Sequence, residues 1–246
     1  MSSTYMRLEL LRMLRNRRFF IFSLGFPVVL YYLIAGPNKN NDDLGGSGIS
    51  APVYYMVGLV AFGAMTAVLS AGARISAERS TGWNRQLRIT PLTTRNYFRT
   101  KVLTGYAAAC ATIVVMYVAG ATLGVRLPAR NWIEMTGLIL VGLVPFAAGA
   151  IAMGHLVSVD SIGPAMGGTT AVLAFLGGTW FPITGDGVFA TVAKCLPSYW
   201  LVQAGHVGLG ESAWGRTGWL VVVAWTVALT ALAAREIGRA SCRERV

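Results

Sequence analysis

Six apolar stretches separated by polar connections organise this chain: about Phe19 to Ala35, Tyr54 to Ala73, Val102 to Leu123, Met135 to Val157, Ile162 to Trp180 and Trp219 to Ala234. An α-helix rises 1.5 Å per residue, so about 20 apolar residues cross a hydrocarbon core of ~30 Å. The pattern therefore predicts six transmembrane helices. Pro27 lies inside the first, which is tolerated where neighbouring helices satisfy the freed carbonyl. The second carries Gly58, Gly63, Ala64, Ala67, Ser70 and Ala71, small residues that let helices approach closely.

The segments between the spans are not all plain loops. Residues 3–18 set Met6, Leu10, Met13 and Leu14 on one stripe, with Glu9, Arg12 and Asn16 facing away. This fits an amphipathic helix lying on the membrane surface; it fits equally a basic anchor ending in Arg15, Arg17 and Arg18. Residues 36–50 form a turn-rich polar loop, and 74–101 a longer, Arg-rich one. Ser158 to Ser161 reads as a tight turn that holds Asp160.

Residues 181–217 are too long for a turn and too apolar for a free loop. There Val188, Phe189, Val192 and Leu196 recur at helical spacing behind Asp186 as a cap. Pro197 and Ser198 then restart a second helix through Tyr199, Trp200, Leu201 and Val202. The pair is either an interfacial hairpin with an aromatic belt or a non-spanning pair shielded by protein.

Composition agrees with an all-α integral membrane protein. Mean hydropathy is +0.56 and 13% of residues are charged, against about a quarter in soluble domains. Six spans leave short connections and no room for a second soluble domain, so residues 1–235 form one membrane domain. The formal charge of +11 does not indicate nucleic-acid binding, because the basic residues cluster beside the spans. Arg outnumbers Lys 18 to 3, which with abundant Ala, Gly and Val points to a GC-rich genome.

The N-terminal segment and the 74–101 loop hold twelve basic residues, and the connections on the other side hold five: Lys39, Arg126, Arg130, Lys194 and Arg216. The excess predicts both termini in the cytoplasm. Cys110, Cys195 and Cys242 build no disulfide framework, and no cleavable leader precedes the first span. Residues 236–246 match throughout what a short sequencing adapter encodes when translated, so they read as a non-native tail that replaces the true C-terminus.

Within the long loop, Gly82 to Arg88 can form a short helix that stops before Pro91. Trp83 and Leu87 share one face, and Arg85 and Arg88 another. A Trp and a Leu flanked by arginines suit a groove on a soluble partner. The same arginines serve equally to enforce topology, with Trp83 in the headgroup layer.

Catalytic chemistry is sparse. There is no P-loop motif for nucleotide phosphates, so any hydrolysis occurs on another chain. His155 and His206 pair with no Cys or carboxylate at metal spacing, so no metal site is expected. His155 five residues before Asp160 reads as a proton relay or as a packed histidine beside a solvated carboxylate. Paired carboxylates for an enzyme are missing from the spans.

The run Glu78-Arg79-x-x-Gly82-x-x-x-x-Leu87-x-x-x-Pro91 resembles the signature of type-2 ABC exporter permeases, notably the daunorubicin-resistance group. The resemblance covers residues 3–235 and includes the stretches 160–164, 180–183 and 196–200. It implies a permease subunit of an ATP-binding-cassette exporter in a bacterial plasma membrane. Such a subunit moves a hydrophobic drug, antibiotic or lipid outward, works as a dimer (a homodimer is expected), and binds no cofactor itself. ATP and Mg belong to the partner ATPase.

By the same resemblance, Glu78, Arg79, Gly82, Trp83, Arg85, Leu87, Arg88 and Pro91 form a cytoplasmic coupling helix that docks on the ATPase. Residues 181–217 become a re-entrant external pair, with Trp180, Phe181, Pro182, Pro197, Tyr199 and Trp200 as a gate. Spans two and five would line the dimer interface, which makes Phe62, Met65, Thr66, Met166, Thr169 and Thr170 candidates for a substrate path. Ordinary helix packing explains each of these six individually as well. The alternative function is a membrane anchor or sensory subunit that recruits a cytoplasmic partner without transport.

Overall fold

The structure, a computed structural model, describes residues 2–16, 21–46, 48–83, 86, 89–90, 92–183, 185, 187–209 and 214–243. No strand occurs among the described residues. Helix α1 is Ser2–Leu14. A π-helical turn, Ile21–Gly25, leads into α2, Phe26–Ala35. A 3-10 turn at Leu44–Gly46 precedes α3, Ala51–Ser80, and then α4, Thr94–Thr122. Helices α5, Ala129–Gly142, and α6, Val144–Leu156, meet at Leu143. Next come α7, Val159–Leu176, and the short α8, Val188–Lys194, and α9, Pro197–Gln203. A 3-10 turn, Ala204–Leu209, and α10, Gly215–Arg243, complete the chain.

Among the described residues five helices are long and apolar enough to span a membrane: α3, α4, α5 with α6, α7 and α10. The first predicted span differs. Its described apolar helix covers only Ser23–Ala35, and Pro27 lies in the first turn of α2. Proline is at home there because that N–H has no intrahelical partner. The fourth span begins earlier than predicted, at Ala129, and breaks at Leu143 just ahead of Pro145.

The long loop is shorter than its polarity suggested. Helix α3 carries Arg74 to Ser80, and α4 takes up residues 94–101, leaving 81–93 as the connection. Gly82, with φ +69, follows the end of α3 in the left-handed region that favours glycine. The hydroxyl of Thr93 caps α4 by accepting from the Asn96 amide at 3.3 Å. Asp160 is not in a turn: Ser158 is the N-cap, and Asp160 sits in the first turn of α7, where a carboxylate favours the helix dipole. Helix α10 runs on into the 236–246 segment without a break.

Helix α3 is the axis of the bundle. It contacts α2, α4, α6, α7 and α9, and 78% of its most apolar window is buried, against 22% for α7 and 17% for α10. In lipid no hydrophobic force drives helices together, so close packing has to hold them. The α3–α6 crossing shows this: a Cβ on Gly72 would stand 2.5 Å from the Ala150 carbonyl oxygen, and one on Gly154 2.9 Å from that of Gly72. Helix α9 is buried from Pro197 to Val202 among α3, α5, α7 and α10.

Candidate functional site

At the loop end of the bundle, three charged side chains meet out of solvent. Glu9 lies on α1, Glu78 in the last turn of α3 and Lys101 two turns into α4. Lys101 is 0% exposed and Glu9 is 4% exposed. The Lys101 ammonium donates to Glu78 Oε1 at 2.6 Å and stands 3.1 Å from Glu9 Oε1. The Tyr97 hydroxyl donates to Glu78 Oε2 at 2.6 Å. Arg12 reaches Glu78 Oε1 at 3.3 Å from the rim.

The two carboxylates thus face Lys101, Arg12 and the half-buried Arg74, and paired charge is the condition under which burial is tolerated. Burial, and then the charges of Glu9 and Glu78, push the Tyr5 phenol far above its ordinary range, so it remains protonated beside them. This cluster corrects the reading of α1. Glu9 does not face away; it is turned inward, while Leu14 of the predicted apolar stripe is 57% exposed, with Leu8 and Leu11 also exposed. The counter-charge on Lys101 outweighs the local hydropathy pattern. Neither carboxylate lies near Lys101 in sequence, so the cluster was missed. Its one trace is a lone lysine, four residues after a tyrosine, in an Arg-rich chain.

The predicted coupling residues divide between the interior and the surface. Glu78 belongs to the buried cluster. Arg79 donates to the carbonyls of Gly154 at 2.7 Å and His155 at 2.6 Å, capping the C-terminal end of α6. The Ser76 hydroxyl adds a bond to the Val157 carbonyl at 2.9 Å. Trp83 is 41% exposed beside a cleft of about 350 Å³, which it lines with Arg12, Ala77, Glu78 and Thr81. Arg85, Leu87, Arg88 and Pro91, and with them most of the expected short helix, lie outside the described residues.

The candidate path residues lie on α3 and α7, two helices that pack against each other. Met65 and Thr170 are buried; Phe62, Thr66, Met166 and Thr169 are half-buried. Thr66 donates back to the Phe62 carbonyl at 2.8 Å. The Phe62 ring lies 5.8 Å from that of Trp180, which links this set to the candidate gate. His155 packs on Phe98 at 5.6 Å, and its Nδ1 is 2.8 Å from the Ile151 carbonyl oxygen.

At the opposite end of the bundle, Phe181 meets Phe175 edge-on at 5.2 Å and stacks with Phe189 at 6.2 Å, while Pro182 is half-buried. Pro197, Tyr199 and Trp200 are buried in α9. Three indoles tie the α8–α9 corner: Trp200 donates to the Lys194 carbonyl at 2.9 Å, Trp214 to that of Trp200 at 2.6 Å, and Trp225 to that of Cys195 at 2.8 Å. Trp214 and Trp225 were not anticipated. The apolar face expected of α8 points outward, since Val188, Phe189 and Val192 are exposed while Ala190 and Ala193 are buried. The proposed cap Asp186 lies outside the described residues.

Comparison with known proteins agrees with this architecture. Residues 47–235 match the family model described as ABC-2 family transporter protein. A Bacillus subtilis (strain 168) protein named as a transport permease, YvfS, is 29% identical over 211 residues, covering 84% of this chain and 81% of that one. No solved structure matches. The chain belongs to the ABC-2 family of transporter proteins, as a multi-pass membrane permease subunit of an ABC transporter.

Proposed function

We propose that this chain is the membrane-spanning half of an ATP-driven exporter, and that a separate ATP-binding subunit docks around residues 81–93. The observation that carries this reading is the buried Glu9–Lys101–Glu78 cluster. It joins α1, the end of α3 and the start of α4 into one unit, beside the exposed Trp83 and its cleft. A push on the loop is then delivered to α3, the helix with the most neighbours in the bundle. In this reading Glu78 and Arg79 act by holding the platform, and Trp83, Arg85, Leu87 and Arg88 meet the partner.

The excess of basic residues at the loop end supports a cytoplasmic position for it and for both termini, in the plasma membrane of a bacterium. Exposed Leu8, Leu11 and Leu14 suit an α1 that rests in the membrane interface. The thinly buried α7 and α10 leave surface for a second copy, and a homodimer with two ATPases follows. Cargo is a hydrophobic drug, antibiotic or lipid passing along the α3–α7 seam near Phe62 and Met166, then past the α8–α9 pair as a re-entrant gate. ATP and Mg²⁺ reside on the ATPase.

The test is co-purification with a candidate ATP-binding-cassette subunit, followed by transport in proteoliposomes. Removing an aromatic hot spot costs about 2 kcal/mol or more, a ~30-fold weakening of association. Trp83→Ala with Arg88→Glu is expected to abolish export while membrane insertion persists. Unchanged export in that double variant would refute the docking role. Failure of the intact chain to bind the ATPase would turn the reading to a sensory or anchoring subunit.

A further inference from the structure

A pocket of about 230 Å³ lies at the end of the bundle opposite the loop. Tyr199, Gln203 and His206 line it at positions i, i+4 and i+7, so α9 and the turn after it present one polar stripe. Tyr54 and Gly178 form another wall, closed by a hydrogen bond from the Tyr54 hydroxyl to the Gly178 carbonyl. Ile183 contributes an apolar side.

The lining carries hydrogen-bonding groups and no charge. A phenol, an amide and an imidazole offer both donors and acceptors. No Asp, Glu, Lys or Arg lines the pocket among the described residues. Burial holds His206 below its ordinary pKa, against a smaller pull from the Gln203 backbone, so the ring is neutral at neutral pH.

One buried polar atom of the lining, His206 Nδ1, has no hydrogen-bond partner among the described residues. Such atoms are rare in folded proteins. A charged ligand would lose its hydration without finding a counter-charge, and a hydrocarbon would leave the polar stripe unpaired.

We propose that this pocket is a subsite for an uncharged, hydroxyl-rich head group of the kind carried by a glycoside amphiphile. Its place on an export path rests on the permease reading; binding itself does not. The head group belongs either to a membrane-borne amphiphile or to a free polyol, and the experiment separates the two.

The full chain, with Cys110, Cys195 and Cys242 replaced by Ala and Ile183→Cys as reporter, is reconstituted in lipid nanodiscs. Labelling by a water-soluble maleimide is timed with octyl glucoside below its solubilising concentration, with glucose, or with octyltrimethylammonium. At a probe concentration about ten times its Kd, octyl glucoside should slow labelling about tenfold. Protection should disappear in Tyr199→Phe and in Gln203→Leu, and should persist in His206→Gln, which keeps an uncharged hydrogen-bonding group. Protection by glucose alone assigns the site to a free polyol; protection by octyl glucoside only assigns it to an amphiphile. Absence of protection by both sugars, equal protection by the charged amphiphile, or protection unchanged in both Tyr199→Phe and Gln203→Leu would overturn the proposal. The assay uses neither ATP nor transport, so its failure leaves the permease reading standing, and failure to bind an ATPase leaves the pocket standing.

Discussion

Lys101 is one of three lysines in a chain with eighteen arginines, and its place explains the choice. A compact ammonium with three donors fits between Glu9 and Glu78 under the Tyr97 ring, whose centroid is 5.2 Å away; a planar guanidinium needs a different geometry. Lys101→Met leaves both carboxylates short of a counter-charge and should cost about 3–5 kcal/mol, the range for breaking a buried pair. Thermal unfolding in nanodiscs measures this, and adding Glu78→Gln should recover part of the loss. An unshifted melting temperature in Lys101→Met would sink the account.

His206 gives the second prediction at this scale. Its folded pKa is held below the ordinary 6.5 by burial, so the unfolded state binds more protons as pH falls. Stability is therefore complete above pH 6.5 and declines as pH drops below that value toward the folded pKa. Melting curves of His206→Gln should be flatter than those of the parent between about pH 7 and 5. Identical pH profiles would show that the ring is not buried in the folded protein.

Among the elements, α3 and α6 approach most tightly through Gly72 and Gly154, where a side chain would meet carbonyl oxygen. Gly154→Leu forces the helices apart and is expected to cost at least about 1–3 kcal/mol, as overpacking does. Arg79 spans the same junction, so the separation also pulls its guanidinium from the Gly154 and His155 carbonyls. Protease sensitivity of the 81–93 loop should rise with the loss of melting temperature. A variant as stable as the parent would mean that α6 can slide along α3 without penalty.

On the scale of the molecule, burial is lopsided. Among the described residues no atom beyond α7's own backbone and the neighbouring residues lies within 4 Å of a Cβ built on Gly163, Gly167 or Gly168, and α10 is even less covered than α7. Small residues on an open helix face permit close approach of a second helix in lipid. If the proposed dimer forms across α7, Gly167→Cys in a background lacking other cysteines should cross-link between copies in membranes on mild oxidation. A cysteine at the exposed Val227 of α10 serves as the comparison. Cross-linking at Val227 and not at Gly167 would move the interface to α10.

The helical class, the approximate positions of the long apolar helices and the polar loop between α3 and α4 were all legible before folding is considered. These depend on local hydropathy, and a span has to be apolar whatever it packs against. The ends of that loop were not legible: the Thr93 cap and Gly82 shorten it more than its charge implied. Tertiary structure alone decided which helix lies at the centre and which polar groups turn inward. Glu9 and Glu78 are far apart in the chain, and the Lys101 ammonium that they share is supplied by a third helix. The outward face of α8 and the Trp214 and Trp225 ties at the corner beneath it were equally hidden. A side chain's hydropathy is fixed by its own atoms, but the stability of a buried charge or of an indole hydrogen bond depends on a partner that only the fold supplies.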